Sequence, residues 1–344
     1  MVSYCAEYFV NKGHIEKAIT VLINSGQPCD ALELCNTHKI VLTPQLSFKI
    51  LSKLETQKRS SLHESTISSL ALNCMNNGQY EVASRLYTLS GQTENALKAL
   101  IRGGDTERVL RVANLSRDPQ LYIMAGNYLQ SLNWSETPSL MKEILRLYSK
   151  AKAHHLIANF YCACAQLEID EYRDYNKATL AWGEAIGYYQ KANSADIPKR
   201  GPQMSPHFGD RIGLGGNLQE KMEERENYDE NIADLRERIR LASVFDGVVG
   251  GRMKGEEEQK CRQLLEEPGI DRAVRTVHVR AYLCGLYYSF EDWRKAYEHV
   301  AVLERELGRR VSEYVSRDML DRIRREVGVG GVDEDVFDEI EDLC

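Results

Sequence analysis

Residues 71–100 read ALNCMNNGQYEVASRLYTLSGQTENALKAL, and shifting this stretch back by 65 residues lays small residue on small residue. Ala71 falls on Ala6, Gly78 on Gly13, Ala83 on Ala18, Gly91 on Gly26 and Ala96 on Ala31. Each copy holds an alanine in one helix, a glycine that ends it, and an alanine five residues into the next, and the glycine-to-alanine step recurs thirteen residues on. Alanine lets two helix backbones approach closely, and glycine supplies the φ > 0 turn between them. The offset is near twice the roughly 34 residues of a tetratricopeptide unit, a helix-turn-helix that buries its apolar face against its neighbours. The reading is an all-α fold, a tetratricopeptide-like α-solenoid of antiparallel helix pairs. No stretch sustains the period-two alternation of a strand.

Outward from this repeat, Thr43-Pro44 puts proline at a first helical position. Leu121, Met124, Ala125, Tyr128 and Leu132 share one face of a later helix, and Val279, Leu283, Leu286 and Phe290 oppose Ala296, Val300, Leu303 and Leu307 in a last antiparallel pair. Periodicity stops at 193–217, NSADIPKRGPQMSPHFGDRIGLGGN, and again between Gly247 and Gly255. The expected organisation is a helical-repeat solenoid over 1–192, a flexible Pro/Gly-rich loop over 193–217, C-terminal helical repeats over 218–328 and an acidic tail over 329–344. The tail segment DEDVFDEIED (333–342) carries seven carboxylates. A helical pattern already running at Tyr4 is expected of the C-terminal piece of a longer chain.

The chain of 344 residues has a formal charge of −7, which argues against a nucleic-acid partner. Its nine cysteines lie scattered through helical patterns without disulfide-like spacing, as expected of reduced thiols in the cytosol. No signal-peptide pattern opens it, and no apolar run reaches the length of a transmembrane helix.

The residues that could carry chemistry read as parts of a scaffold. His154, His155, Cys162 and Cys164 are the nearest approach to a metal cluster, but neighbouring helical positions point about 100° apart, so four ligands would not converge. Glu168, Asp170 and Glu171 lack a nucleophile or oxyanion donor nearby. The GLGGN run at 213–217 follows no strand and precedes no Gly-Lys-Ser/Thr. Arg305, Arg309 and Arg310, like Arg322, Arg324 and Arg325, alternate with acids and read first as ion-paired helix surface, second as a patch for an acidic partner. No catalytic, cofactor-binding or metal-binding residue is assigned. Eighteen tyrosines against seven phenylalanines is the informative bias; tyrosine serves interfaces as well as packing, and Tyr161, Tyr172, Tyr175, Tyr188 and Tyr189 form the candidate partner surface.

LYIMAGNYLQSLNW (121–134), FYCACAQLEIDEYRDYNKA (160–178) and KCRQLLEEPGID (260–271), with GGDTERV (103–109), closely resemble the C-terminal region of the intraflagellar transport protein 140 family, collinearly from about residue 3 to about residue 325. The resemblance implies WD40 propellers followed by a long tetratricopeptide-like solenoid, of which this chain is the last part. It implies no catalytic residues. It also implies partners among the other subunits of intraflagellar transport complex A and ciliary membrane cargo adaptors, and a role in retrograde transport, ciliary entry of membrane proteins and cilium assembly, at the cilium, basal body and cytoplasm. The chain departs from the family at 193–217 and 246–255, which read as loops. The alternative is a helical-repeat adaptor or vesicle-coat subunit outside cilia.

Overall fold

The structure, a computed structural model, describes residues 2–38, 43–56, 64–195 and 215–329, and every regular element among them is helical. The chain divides into two compact units, residues 1–153 and 154–344. The first holds α1 (Val2–Asn11), α2 (Ile15–Asn24), α3 (Pro28–His38), α4 (Pro44–Thr56), α5 (Glu64–Asn76), α6 (Tyr80–Leu89), α7 (Thr93–Gly103), α8 (Thr106–Ser116), α9 (Pro119–Gln130) and α10 (Pro138–Ala151). Helices pack on their chain neighbours and on the next but one, as α3 does on α5 and α7 on α9, which is how stacked helix pairs bury a continuous core.

The turns follow from the glycines. Gly13, Gly26, Gly78, Gly91 and Gly104 all take left-handed φ, between 72° and 80°. In each case the following amide reaches back five residues to a carbonyl in the last turn of the preceding helix: His14 to Phe9 (2.8 Å), Gln27 to Leu22 (2.9 Å), Gln79 to Cys74 (2.8 Å), Gln92 to Tyr87 (2.9 Å) and Asp105 to Leu100 (3.2 Å). One residue then suffices to start the next helix, so two helices are joined with the least chain. Ala18, Ala31, Ala71, Ala83 and Ala96 are at most 1% exposed and Ala6 is 6% exposed, all at helix contacts where a larger side chain would force the backbones apart. The thirteen-residue step runs past the repeat read from sequence: Val109 is fully buried five residues after Gly104, and Arg117 takes φ 55° thirteen residues after it. This step is shorter than half a tetratricopeptide unit.

The stripe on α9 is rotated from its sequence reading. Leu121, Tyr122, Ala125 and Leu129 are buried, whereas Met124, Tyr128 and Leu132 are only half-buried and Leu132 lies beyond the helix end. Gly126 explains the close approach of α10, since a Cβ there would meet Tyr148 Cε1 at 2.5 Å.

The second unit holds α11 (His154–Asp170), α12 (Tyr175–Ala195), α13 (Gly215–Val249), α14 (Glu257–Glu266), α15 (Thr276–Ser289), α16 (Trp293–Leu307) and α17 (Arg317–Val327), with 3₁₀ segments at Ile270–Arg272 and Gly308–Glu313. Its central helix is α12, packed between α11 and α13. Tyr175, Ala178, Trp182, Ala185, Tyr189 and Ala192 are all buried. They alternate three and four residues apart, the spacing of a coiled-coil seam, and alternate ring with methyl so that facing side chains interleave.

Two sequence expectations are corrected here. The interruption at 246–255 begins late: α13 runs to Val249, and Gly247 is a close-approach position where a Cβ would meet Met253 Cε at 2.9 Å. Phe290 lies just past the end of α15 and is 72% exposed, while Tyr287 takes its place in the core with Val279 and Leu283. Residues 193–195 close α12 and 215–217 open α13. The rest of the expected loop, 196–214, and the tail over 330–344 lie outside the described residues.

Candidate partner-binding surface

The tyrosines singled out from sequence divide into three environments. On the α11–α12 face, Tyr161 and Tyr188 are half-buried and stacked, with ring centres 5.7 Å apart at 19°. His154 also stacks on Tyr188 at 6.3 Å, and the Lys191 ammonium sits 4.2 Å from the same ring centre. Alongside, His155 stacks on Tyr228 of α13 at 6.5 Å, and Tyr228 lies 5.7 Å from Tyr189. The face is thus two short columns of rings with their edges partly open to solvent. Such rings offer a contact area that loses little conformational entropy when covered.

Tyr175 and Tyr189 are buried, and their side chains are spent inside the unit. The Tyr189 hydroxyl donates to Asn159 Oδ1 at 2.5 Å, and burial pushes its phenol up to about 12. Tyr175 is the hub joining the start of α12 to the start of α15. Its hydroxyl lies 2.6 Å from His278 Nδ1, accepts the Arg275 amide at 3.2 Å, and its ring meets Phe245 edge-on at 5.0 Å. These two therefore do not belong to an open partner surface. Tyr172 is the reverse: it sits in the turn between α11 and α12, 61% exposed. Leu180, 65% exposed on α12, is apolar surface that periodicity had not singled out, and Phe290, which periodicity had placed in a packed stripe, is exposed as well.

Around Tyr175 the polar groups are matched. Arg275 grips Asp170 through Nε (2.8 Å) and an Nη (3.1 Å), and this hydrogen bonding holds the carboxyl below the ordinary carboxylate range. Burial, helped by the nearby Arg173 charge, brings His278 down from 6.5 to about 4, so the ring is neutral at physiological pH. Arg173 stacks 4.3 Å from the Tyr314 ring centre and donates to the Glu313 carbonyl at 2.9 Å.

The residues weighed for chemistry are placed apart. His154 and His155 face different tyrosines, and burial pushes the Cys162 thiol up to about 11 and the Cys164 thiol up to about 12, keeping both protonated. Among the described residues no three His, Cys, Asp or Glu side chains converge as a metal site would require. Glu168 approaches Lys177 at 3.8 Å, whereas Asp170 is committed to Arg275. No described helix is long and apolar enough to cross a membrane. What the surface offers is stacked rings, exposed apolar side chains and paired charges, the materials of a protein interface.

Comparison with protein families gives two matches in chain order. Residues 1–147 match the tetratricopeptide domain described for intraflagellar transport proteins 140 and 172 together, and residues 155–207 match the C-terminal tetratricopeptide domain of intraflagellar transport protein 140.

Proposed function

From a chain that is a C-terminal region of the intraflagellar transport protein 140 type, of the scaffold kind found in intraflagellar transport complex A, we propose a non-catalytic subunit that holds other complex A subunits through protein–protein contacts. Membership of that family implies residence in the cilium. The reading extends to support of retrograde ciliary transport, of ciliary entry of membrane proteins through cargo adaptors, and of cilium assembly, with the protein also present at the basal body and in the cytoplasm. The observation that carries it is the pair of family matches, collinear and on successive helical units. Within the candidate surface, Tyr172 and the open edges of Tyr161 and Tyr188 are the positions offered to a partner.

Tagged chain recovered from ciliated cells is expected to bring complex A subunits with it, and Tyr172→Glu with Leu180→Glu to reduce that recovery while the chain stays helical. Recovery of a folded chain with coat components and no complex A subunit would assign it to vesicle trafficking.

A further inference from the structure

The arginines at 309 and 310 precede Val311 and Ser312 in the 3₁₀ segment that links α16 to α17. Two arginines, an apolar residue and a serine are what the acidic substrate cleft of a basophilic serine/threonine kinase selects, through charge pairing two and three residues before the acceptor. An arginine also stands three residues before Thr88, Ser149 and Ser243, but these lie within α6, α10 and α13. Presenting any of them in extended form would break a continuous α-helix. Ser312 is exposed, and its Oγ has a single long bond, 3.4 Å to the Arg309 carbonyl. A 3₁₀ segment has poorer hydrogen bonds than an α-helix and opens more readily. The neighbouring ion pair, Arg310 with Glu313 at 3.0 Å, is largely exposed and holds it weakly. Val311, 3% exposed, is the anchor that opening must release.

The surroundings suit the product as well as the substrate. Arg173 reaches the segment from the α11–α12 turn, donating to the carbonyl of Glu313, the residue after Ser312. A phosphate at Ser312 would have Arg173, Arg309 and Arg310 about it, against Glu313 as the adjacent acid.

We propose that Ser312 is a phosphorylation site for a basophilic serine/threonine kinase, and that Arg173, Arg309 and Arg310 hold the phosphate. In the reaction the Ser312 hydroxyl oxygen attacks the γ-phosphorus of MgATP. The Oγ–P bond forms, the bond from the γ-phosphorus to the bridging oxygen breaks, ADP leaves, and the hydroxyl proton passes to the kinase's base. The site bears about −1.5 to −2 charges afterwards, enough to draw Arg310 from Glu313 and tie the two inter-helix turns together. This inference is independent of the scaffold role proposed above.

The test incubates the full folded chain with MgATP and the catalytic domain of a basophilic kinase, and locates phosphate by mass spectrometry. Incorporation at Ser312 is expected to be at least tenfold faster than at Thr88, Ser149 or Ser243, and to fall at least tenfold in an Arg309→Gln/Arg310→Gln variant whose helicity is unchanged. Removal of the phosphate by a broad-specificity phosphatase is expected to quicken severalfold in Arg173→Gln. A peptide spanning 305–316 is assayed in parallel. Labelling of that peptide without labelling of the folded chain would overturn the proposal by showing the segment too firmly packed, as would failure of both or indifference to the arginines. An unchanged phosphatase rate in Arg173→Gln would remove Arg173 from the cradle.

Discussion

Arg117, Lys152, Arg173 and Glu291 share the left-handed φ of the turn glycines, at 55°, 56°, 55° and 58°, but carry a Cβ into it. The conformation costs a non-glycine residue about 1–2 kcal/mol, partly balanced by the extra freedom glycine brings to the unfolded chain. Lys152 is exposed, so Lys152→Gly should stabilise the first unit by about 0.5–1 kcal/mol in urea denaturation. Arg173→Gly should do the opposite, by about 1 kcal/mol, because it forfeits the stack on Tyr314 and the bond to the Glu313 carbonyl. Equal signs for the two would show that the tertiary contacts of Arg173 do not offset its backbone strain. The same contrast explains legibility. A glycine at 78 or 91 announces its turn, because few other residues are as well suited to it. An arginine at 117 or 173 announces nothing, since what holds it there is a ring 141 positions away in sequence in the second case (Tyr314 against Arg173).

Helices exposed on one side were readable, and those covered on two sides were less so. On α16, Ala296, Val300 and Leu303 are buried as their spacing predicts. On α11, packed along α12, the buried set is Ile157, Ala158, Phe160, Ala165 and Ile169, which no single 3.6-residue stripe describes. Tyr175 and Tyr189 have the ring and hydroxyl of an interface residue, so composition suggested a surface; only the packing of α12 against two neighbours shows them inside. The pairing of Tyr175 on α12 with His278 on α15 gives a prediction in pH. His278 is held near 4 in the folded chain against 6.5 ordinarily, so above pH 6.5 it is neutral in both states and costs nothing. As pH falls from 6.5 toward 4 the unfolded chain gains a proton that the folded chain refuses, and stability declines by up to about 3 kcal/mol before levelling off. His299, also lowered chiefly by burial, acts in the same direction. Denaturation midpoints across pH 7.5 to 4.5 should therefore fall, and His278→Gln should flatten most of that slope. An unaltered slope would mean that His278 is not the group responsible.

The division at residue 153 into two units, each with its own buried cluster, carries a prediction for the chain as a whole. Fragments 1–153 and 154–344 should each be helical and melt cooperatively, as followed by circular dichroism. A fragment that is helical only when mixed with the other would show that the cores depend on each other. The all-helical architecture was legible because the repeat is written in glycine and alanine, whereas the division point was not: a boundary is a thinning of contacts, and no residue type records that. Within the first unit the thirteen-residue step has a kinetic side. Each pair of neighbouring helices closes a loop of only about two dozen residues, so little chain entropy is lost before the first contacts reward it. A topology of such near-in-sequence contacts folds quickly, and each new pair can settle on the one before it while the remainder of the chain is still being synthesised.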